Sequence, residues 1–329
     1  MGAKITGIGH YAPETVITNQ YFIDKGLDTT NEWIVERTGI HERRFSNQNE
    51  GSSELSFNAA IKCLKNAKLN PKDLDLIIVA TSTPDHLSFP STACILQSKL
   101  KCNTIPAFDL SAACSGFCFA LSTAENYLLN DNYKNILVVG ADCLSSITNH
   151  NDRKTAILFG DGAGAVILSK AESKKTGIIY SKMHSDGTYK DILKVPEGGS
   201  KFPINKDVTK KESHYIQMDG KAVFKSAINT TVPSIKEALK HVSLTANDIS
   251  YLICHQANKR IIDNIAKKLN IESEKVIINL NKYGNTSAAS IPLAMSEFNE
   301  KVGFKKGDIL VLVGFGAGFT WGVNIIIWE

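Results

Sequence analysis

Residues 64–82, LKNAKLNPKDLDLIIVATS, and residues 239–257, LKHVSLTANDISYLICHQA, share one pattern. In this pairing Leu64 lies over Leu239 and Asp73 over Asp248. Each stretch ends in an unbroken apolar run, LDLIIVAT (74–81) and ISYLICH (249–255). Apolar runs without alternation suit strands covered on both faces, which places the sheet between helices. The likeness extends outward. NILVV (135–139) resembles DILVL (308–312), and FDLSAACSG (108–116) lies over NLNKYGNTS (279–287), setting Cys114 against Asn285. The separation drifts by only a few residues, as changes in loop length would cause. With GAVILS (164–169), ILVLVGFG (309–316) and GVNIIIWE (322–329), the chain reads as α/β. Its two βαβ-rich halves, 1–172 and 173–329, are related by a pseudo-twofold.

The duplication has a chemical consequence. Cys114 and Asn285 fall at equivalent strand-to-helix turns, and His255 follows a strand at the position of Ala80. Three polar groups distant in sequence can then meet between the halves. Segment 171–216 breaks the pattern. It is rich in Gly, Pro and Lys and reads as a long surface insertion.

Composition narrows the function classes. The chain has 329 residues, 43% hydrophobic and 21% charged, with a net charge of +4. This describes a soluble globular protein. No run of basic residues is long enough to form a phosphate-binding stripe, so no nucleic-acid partner is expected, and short pairs such as Lys210–Lys211, Lys267–Lys268 and Lys305–Lys306 read as solvated surface. Seven cysteines without a CxxC pair indicate free thiols in a reducing, cytoplasmic compartment. The histidines form no HExxH or HxxxH pair, so no metal is expected. No apolar run reaches membrane-spanning length, and MGAKITGIGHYAP has no signal-peptide core. Gly2 and Thr6 fit a myristoylation pattern, but KITGIGHY (4–11) reads better as a buried first strand.

TIPAFDLSAACSGFCFALSTAENYL (104–128) reads strand, sharp turn, helix, with Cys114 near the helix start. There the helix dipole and unpaired N–H groups lower a thiol's pKa and favour the thiolate nucleophile. The competing reading is a small buried hydrophobe. Cys118, one turn on, reads as packing. LICHQANKRIIDNIAKKL (252–269) puts His255 where a buried strand meets a loop, a common place for function in α/β proteins, though a hydrogen-bonded core histidine fits as well. NLNKYGNTSAASIPLAM (279–295) puts Asn285 in a turn that opens a helix, where it also reads as an N-cap. VGFGAGFTWG (313–322) brings glycine-rich backbone close to a neighbour. Neither it nor FGDGAGA (159–165) has the context of a dinucleotide-binding loop.

NEWIVERTGIHERR (31–44), SAACSGF (111–117), FGDGAGA (159–165), HQANKRI (255–261), YGNTSAASIP (283–292) and GFGAGFTWG (314–322) occur in one chain in this order. With them the sequence resembles β-ketoacyl-acyl-carrier-protein synthase III from its first strand to its C-terminus. The resemblance implies a thiolase-like fold, a homodimer, and a Cys–His–Asn triad at Cys114, His255 and Asn285. Elongating synthases use a second histidine where Asn285 stands. It further implies acyl-CoA and malonyl-acyl-carrier protein as substrates in a decarboxylative condensation that starts fatty-acid synthesis. No metal or redox cofactor takes part. The backbone N–H groups of Cys114 and Ala317 would form the oxyanion hole, with Ala317 standing where some members have glycine. Trp33, Arg37 and Arg153 would hold the coenzyme A nucleotide and Asn258 the pantetheine arm. Phe89 would reach the neighbouring subunit's acyl pocket. Lys225, Arg260, Lys267 and Lys268 would form the carrier-protein rim. Taken alone, Trp33 reads as a helix-face core residue, Arg153 as a surface charge, and Lys267 and Lys268 as a solvated face. Two alternatives stand beside this one: an acyltransferase of a specialised pathway that passes the acyl group on Cys114 to another acceptor, and a coenzyme A-binding protein without turnover.

Overall fold

The computed structural model describes residues 2–173, 175–204 and 212–329. The pair Lys210–Lys211, and with it part of segment 171–216, lies outside the described residues. The strands are β1 (Gly2–Tyr11), β2 (Thr15–Thr18), β3 (Glu42–Phe45), β4 (Leu76–Ala80), β5 (Ala107–Leu110), β6 (Asn135–Cys143), β7 (Asp161–Ala171), β8 (Gly177–Ser185), β9 (Leu193–Lys194), β10 (Gln217–Met218), β11 (Tyr251–Cys254), β12 (Ile309–Gly316) and β13 (Thr320–Ile327).

One sheet runs β1-β7-β6-β4-β5 and the other β8-β13-β12-β11. In the first sheet the successive pairings are antiparallel, antiparallel, parallel and parallel. The second repeats this as antiparallel, antiparallel and parallel, and a parallel bridge from Leu252 to Val276 stands where the first sheet has β5. The two sheets are therefore topological copies. The first draws only on residues up to Ala171 and the second only on residues from Gly177 onward.

The unbroken apolar runs form strands because both faces of each strand are covered. Ile136 and Val138 of β6 face a core shared with Leu310 and Leu312 of β12. The alternate residues Leu137 and Val139 pack outward on Leu55, Ala59 and Cys63 of the helix Ser52–Ala67. Val311 and Val313 of β12 turn outward onto the helices Gly220–His241 and Lys259–Leu269. Between the sheets lie two helices, Gly116–Tyr127 with Phe117, Leu121 and Ala124, and Ser290–Lys301 with Ile291, Ala294 and Met295. The result is five layers, helix–sheet–helix–sheet–helix.

The central helices sit close to the strands because glycine lines the contact. A Cβ on Gly140 of β6 would lie 2.2 Å from the Ala288 carbonyl oxygen. One on Gly314 of β12 would lie 2.9 Å from Ser115 Cα, and one on Gly316 would lie 2.6 Å from the Cys114 nitrogen. Each central helix thus opens against the sheet of the opposite half. The turn after β5 packs on β12, and the turn before Ser290–Lys301 packs on β6.

Two expectations change. First, the register between the halves is three residues off. Cys114 is the middle residue of the short 3₁₀ turn Ala113–Ser115, entered at Ala113 with φ +46°. The corresponding turn is Ser287–Ala289, entered at Ser287 with φ +52°. Cys114 therefore corresponds to Ala288, and Asn285 lies just ahead of its turn. The local likeness of the two loops hid this, because only the shared backbone conformation marks the true register. Second, segment 171–216 is not a surface insertion throughout. It contributes β8, paired along its length with β13, and places Leu193, Lys194, Val195 and Ile216 on the wall of an internal cavity.

Gly140→Ala should lower unfolding stability by about 1–3 kcal/mol, since the new methyl meets backbone rather than a movable side chain. Gly187, where a Cβ meets nothing within 4 Å, serves as the control, and Gly187→Ala should stay within about 0.5 kcal/mol. Urea unfolding of both variants measures the difference.

Candidate active site

Cys114 sits one turn before the helix Gly116–Tyr127. Its turn is held against the loop after β12 by two hydroxyls. Ser115 Oγ lies 2.7 Å from the Ala112 carbonyl and 2.8 Å from Thr320 Oγ1, which in turn lies 2.9 Å from the Ala317 carbonyl. The N–H groups of Cys114 and Ala317 donate to no other described residue. Gly316, with no Cβ to clash, lets the end of β12 approach the Cys114 backbone nitrogen closely.

His255 follows β11, its N–H donating to the Val313 carbonyl at 2.7 Å. Its Nδ1 lies 2.7 Å from Ser290 Oγ, and its ring meets Phe315 edge-on at 5.2 Å. The next residue, Gln256, is buried with all its amide capacity used. Nε2 donates to the Cys254 and Ile277 carbonyls at 2.8 and 3.2 Å, and Oε1 accepts from the N–H groups of Asn279 and Leu280 at 3.0 and 3.3 Å. Gln256 therefore ties the His255 loop to the segment that leads to Asn285. Asn285 is pinned by its own backbone to Leu158 and Gly160, at 2.9 and 3.0 Å, and its Oδ1 accepts the Ser287 N–H at 2.9 Å. The N-cap position of the turn Ser287–Ala289 is Thr286, and Asn285 braces that turn from one residue earlier through its side-chain oxygen. Its Nδ2 has no partner among the described residues.

Cys114, His255, Asn285 and Ala317 line one cavity of about 290 Å³. Its walls are apolar, with Leu144, Ile147, Leu158, Phe159, Val223 and Phe315 among them. Burial sets the protonation states. It pushes the Cys114 thiol up to about 12, against the opposing pull of a Ser287 hydrogen bond, while Asp142 pushes it further up. The lowering expected from the helix start is therefore outweighed, because the thiol is almost sealed from water. Burial also drives His255 down to about 3, and among the described residues no carboxylate opposes this, so the imidazole is neutral.

Asp142, at the end of β6, was missed by sequence reading, although a carboxylate inside the run ILVVGADC is a visible signal. It accepts from the N–H groups of Ser82 and Thr83 at 2.7 and 3.2 Å, and from that of Ala288 at 3.1 Å. It thereby joins the two halves behind the cavity. Burial raises its pKa, and these donors oppose the rise.

Of the remaining predicted residues, Asn258 borders the cavity directly and the others do not. Asn258 lines the cavity and caps the helix Lys259–Leu269, while its Nδ2 donates to the Arg37 carbonyl at 3.0 Å. The Arg37 and Arg153 guanidinium groups lie over the Trp33 ring at 5.1 and 4.9 Å. Arg153 is also held by Asp28 at 3.2 Å. Arg260 lies over the cavity-lining Phe224 at 5.9 Å, and Lys225 is exposed beside it. Lys267 and Lys268 are exposed in the last turn of the same helix as Arg260, away from the mouth. Phe89 is 84% exposed and Leu87 80% exposed, so this loop presents apolar side chains to solvent in the single chain.

A duplicated five-layer fold, with a cysteine at the start of one central helix and a histidine and an asparagine gathered at the start of the other, defines a thiolase-fold condensing enzyme. Comparison with known proteins narrows this. Residues 108–187 match the family model described as 3-oxoacyl-[acyl-carrier-protein] synthase III, and residues 239–328 match that of its C-terminal part. The chain is 47% identical over 326 residues to the β-ketoacyl-[acyl-carrier-protein] synthase III of Clostridioides difficile, covering 99% of this chain and 98% of the relative. The solved 3-oxoacyl-[acyl-carrier-protein] synthase III of Aquifex aeolicus is 41% identical, with a TM-score of 0.91 over 99% of this chain and 100% of that one. A priming β-ketosynthase from the R1128 polyketide pathway is 31% identical, with a TM-score of 0.91 over 100% and 96%. The chain belongs to the β-ketoacyl-acyl-carrier-protein synthase III family and is an acyltransferase of the condensing type.

The buried, neutral His255 makes a linkage prediction. Its folded pKa of about 3 lies below the ordinary 6.5, so the unfolded chain binds the extra proton first. The stabilising contribution is present above pH 6.5 and is lost as pH falls toward 3. Between pH 6.5 and 5 the protein should lose roughly 1–2 kcal/mol more than a His255→Gln variant. Urea unfolding at the two pH values measures this, and equal losses would refute it.

Proposed function

We propose that the protein condenses an acyl-CoA starter with malonyl-acyl-carrier protein, releasing carbon dioxide and forming the β-ketoacyl thioester that initiates fatty-acid synthesis. The observation that carries this reading is that one thiol and two side-chain nitrogens without a partner among the described residues, His255 Nε2 and Asn285 Nδ2, belong to residues lining a single apolar cavity. In the first half-reaction the Cys114 sulfur attacks the thioester carbonyl. The Cys114 and Ala317 N–H groups receive the oxyanion, and coenzyme A leaves carrying the proton that Cys114 gives up. In the second, His255 and Asn285 donate to the malonyl thioester oxygen. As carbon dioxide departs, the electron pair enters an enolate whose charge rests on that oxygen. The enolate carbon attacks acyl-Cys114 and expels the thiolate. Apolar walls exclude water, which strengthens each donor and protects the acyl-enzyme from hydrolysis.

The same reading assigns Trp33, Arg37 and Arg153 to the coenzyme A nucleotide. An indole face with two planar guanidinium groups over it suits an adenine ring and its phosphates. Asn258 is assigned to the pantetheine arm. It takes the chain as a cytoplasmic homodimer of two-half subunits, 1–172 and 173–329, with the exposed Phe89 entering the partner's acyl pocket. It needs neither a metal nor a redox cofactor. Carrier protein would dock on Lys225 and Arg260 at the mouth, extended by Lys267 and Lys268.

The half-reactions should separate by mutation. Asn285→Asp replaces a donor with a charge that repels the enolate, so release of labelled carbon dioxide from malonyl thioester should fall by at least ~10²–10³-fold. Acylation of Cys114 by acyl-CoA, read by intact mass, should survive. Decarboxylation at the wild-type rate would reduce Asn285 to a brace for its turn and sink the mechanism. A wild-type protein that acylates but releases no carbon dioxide would point instead to a different acceptor, and one that does not acylate would point to coenzyme A binding alone.

Rim charges steer encounter and are screened by salt. Arg260→Glu should therefore weaken the carrier-dependent step, with a reduced salt dependence, and spare acylation. Equal loss in both steps would place its effect in the active site.

A further inference from the structure

The hydrogen on the His255 ring is assigned by Ser290. Ser290 opens the helix Ser290–Lys301, is 1% exposed, and sets its Oγ 2.7 Å from His255 Nδ1. The same oxygen accepts the Gln256 backbone N–H at 3.3 Å. A backbone N–H can only donate, so one lone pair of the hydroxyl is engaged. The hydroxyl has a single hydrogen, and among the described residues Nδ1 is the only acceptor within bonding distance of it. With the ring hydrogen on Nδ1, Ser290 Oγ would face two donors and its own hydrogen would be buried without an acceptor. Buried polar groups rarely tolerate that. With the ring hydrogen on Nε2, every group is satisfied.

We propose that Ser290 is a positioning residue that holds neutral His255 in the tautomer with its hydrogen on Nε2, aimed into the cavity. This rests on the reading of His255 as a donor to the malonyl thioester oxygen and deepens it. A carboxylate at Nδ1 would do the reverse. It would hold the hydrogen on Nδ1, support a positive ring and make Nε2 a base. A hydroxyl that donates to Nδ1 leaves His255 a neutral donor and an ineffective base toward Cys114. The surroundings agree, since among the described residues no acidic side chain hydrogen-bonds the ring, and burial opposes its protonation. The helix that carries Ser290 also follows directly from the Asn285 turn. One helix start therefore orients both donors, and the two cannot drift apart independently.

Nitrogen-15 NMR of histidine-labelled protein tests this, with the His255 resonances assigned by their loss in His255→Gln. The wild type should show a neutral ring protonated at Nε2. Ser290→Ala should show a mixture of tautomers, and Ser290→Thr, which restores the hydroxyl, should recover the wild-type pattern. In parallel, Ser290→Ala should slow carbon dioxide release roughly tenfold or more, short of the ~10²–10³-fold that outright loss of a donor costs. Its Cys114 acylation should fall far less, and Ser290→Thr should regain decarboxylation. A wild-type ring protonated at Nδ1 overturns the proposal. So does a Ser290→Ala protein, folded by near-ultraviolet dichroism, that keeps both the wild-type tautomer and the wild-type rate. If the wild type releases no carbon dioxide at all, the proposed reaction fails, and the tautomer measurement alone decides the role of Ser290.

Discussion

The structure depends on the close approach of two helix starts to two glycine-lined strands. Gly140 admits the Ala288 carbonyl, and Gly314 and Gly316 admit the backbone of Ser115 and Cys114. Each contact joins an element of one half to the sheet of the other. Because the halves are topological copies, the two contacts bring the two turns face to face. The cavity between them exists because of this crossing. No local feature of either half would create it.

Within that cavity, burial without counter-charge decides the chemistry. His255 has an aromatic edge and a hydroxyl for neighbours, so it stays neutral. Cys114 keeps its proton for the same reason, and its own backbone N–H donates to no other described residue. Such a site is primed to receive negative charge as it develops, and it pays little reorganisation when the charge arrives. Asp142, a buried carboxylate close by, raises the thiol's pKa further. Its oxygens are occupied by Ser82, Thr83 and Ala288, and its role is to hold the two halves together.

The roof of the cavity comes from chain that looks unremarkable in sequence. Leu193, Val195 and Ile216 stand in a Gly- and Lys-rich stretch, yet they pack over the mouth beside Val223 and Phe224.

The sequence by itself determined the α/β class, the duplication and the three polar positions that meet in the cavity. Those features are local. An unbroken apolar run must be covered on both faces wherever it lies, and Cys114, His255 and Asn285 each sit in a short motif at a strand end. The register between the halves was misread by three residues, because it resides in the left-handed backbone of Ala113 and Ser287, which side-chain likeness does not report. Gln256, Ser290 and Asp142 were invisible as partners of the site. Their long-range hydrogen bonds span 21 to 146 residues of chain and exist only once the sheets have paired. The thiol's raised pKa was likewise decided by the tertiary structure alone. A helix start lowers a pKa locally, whereas desolvation depends on everything that packs around the group, and here desolvation is the larger effect.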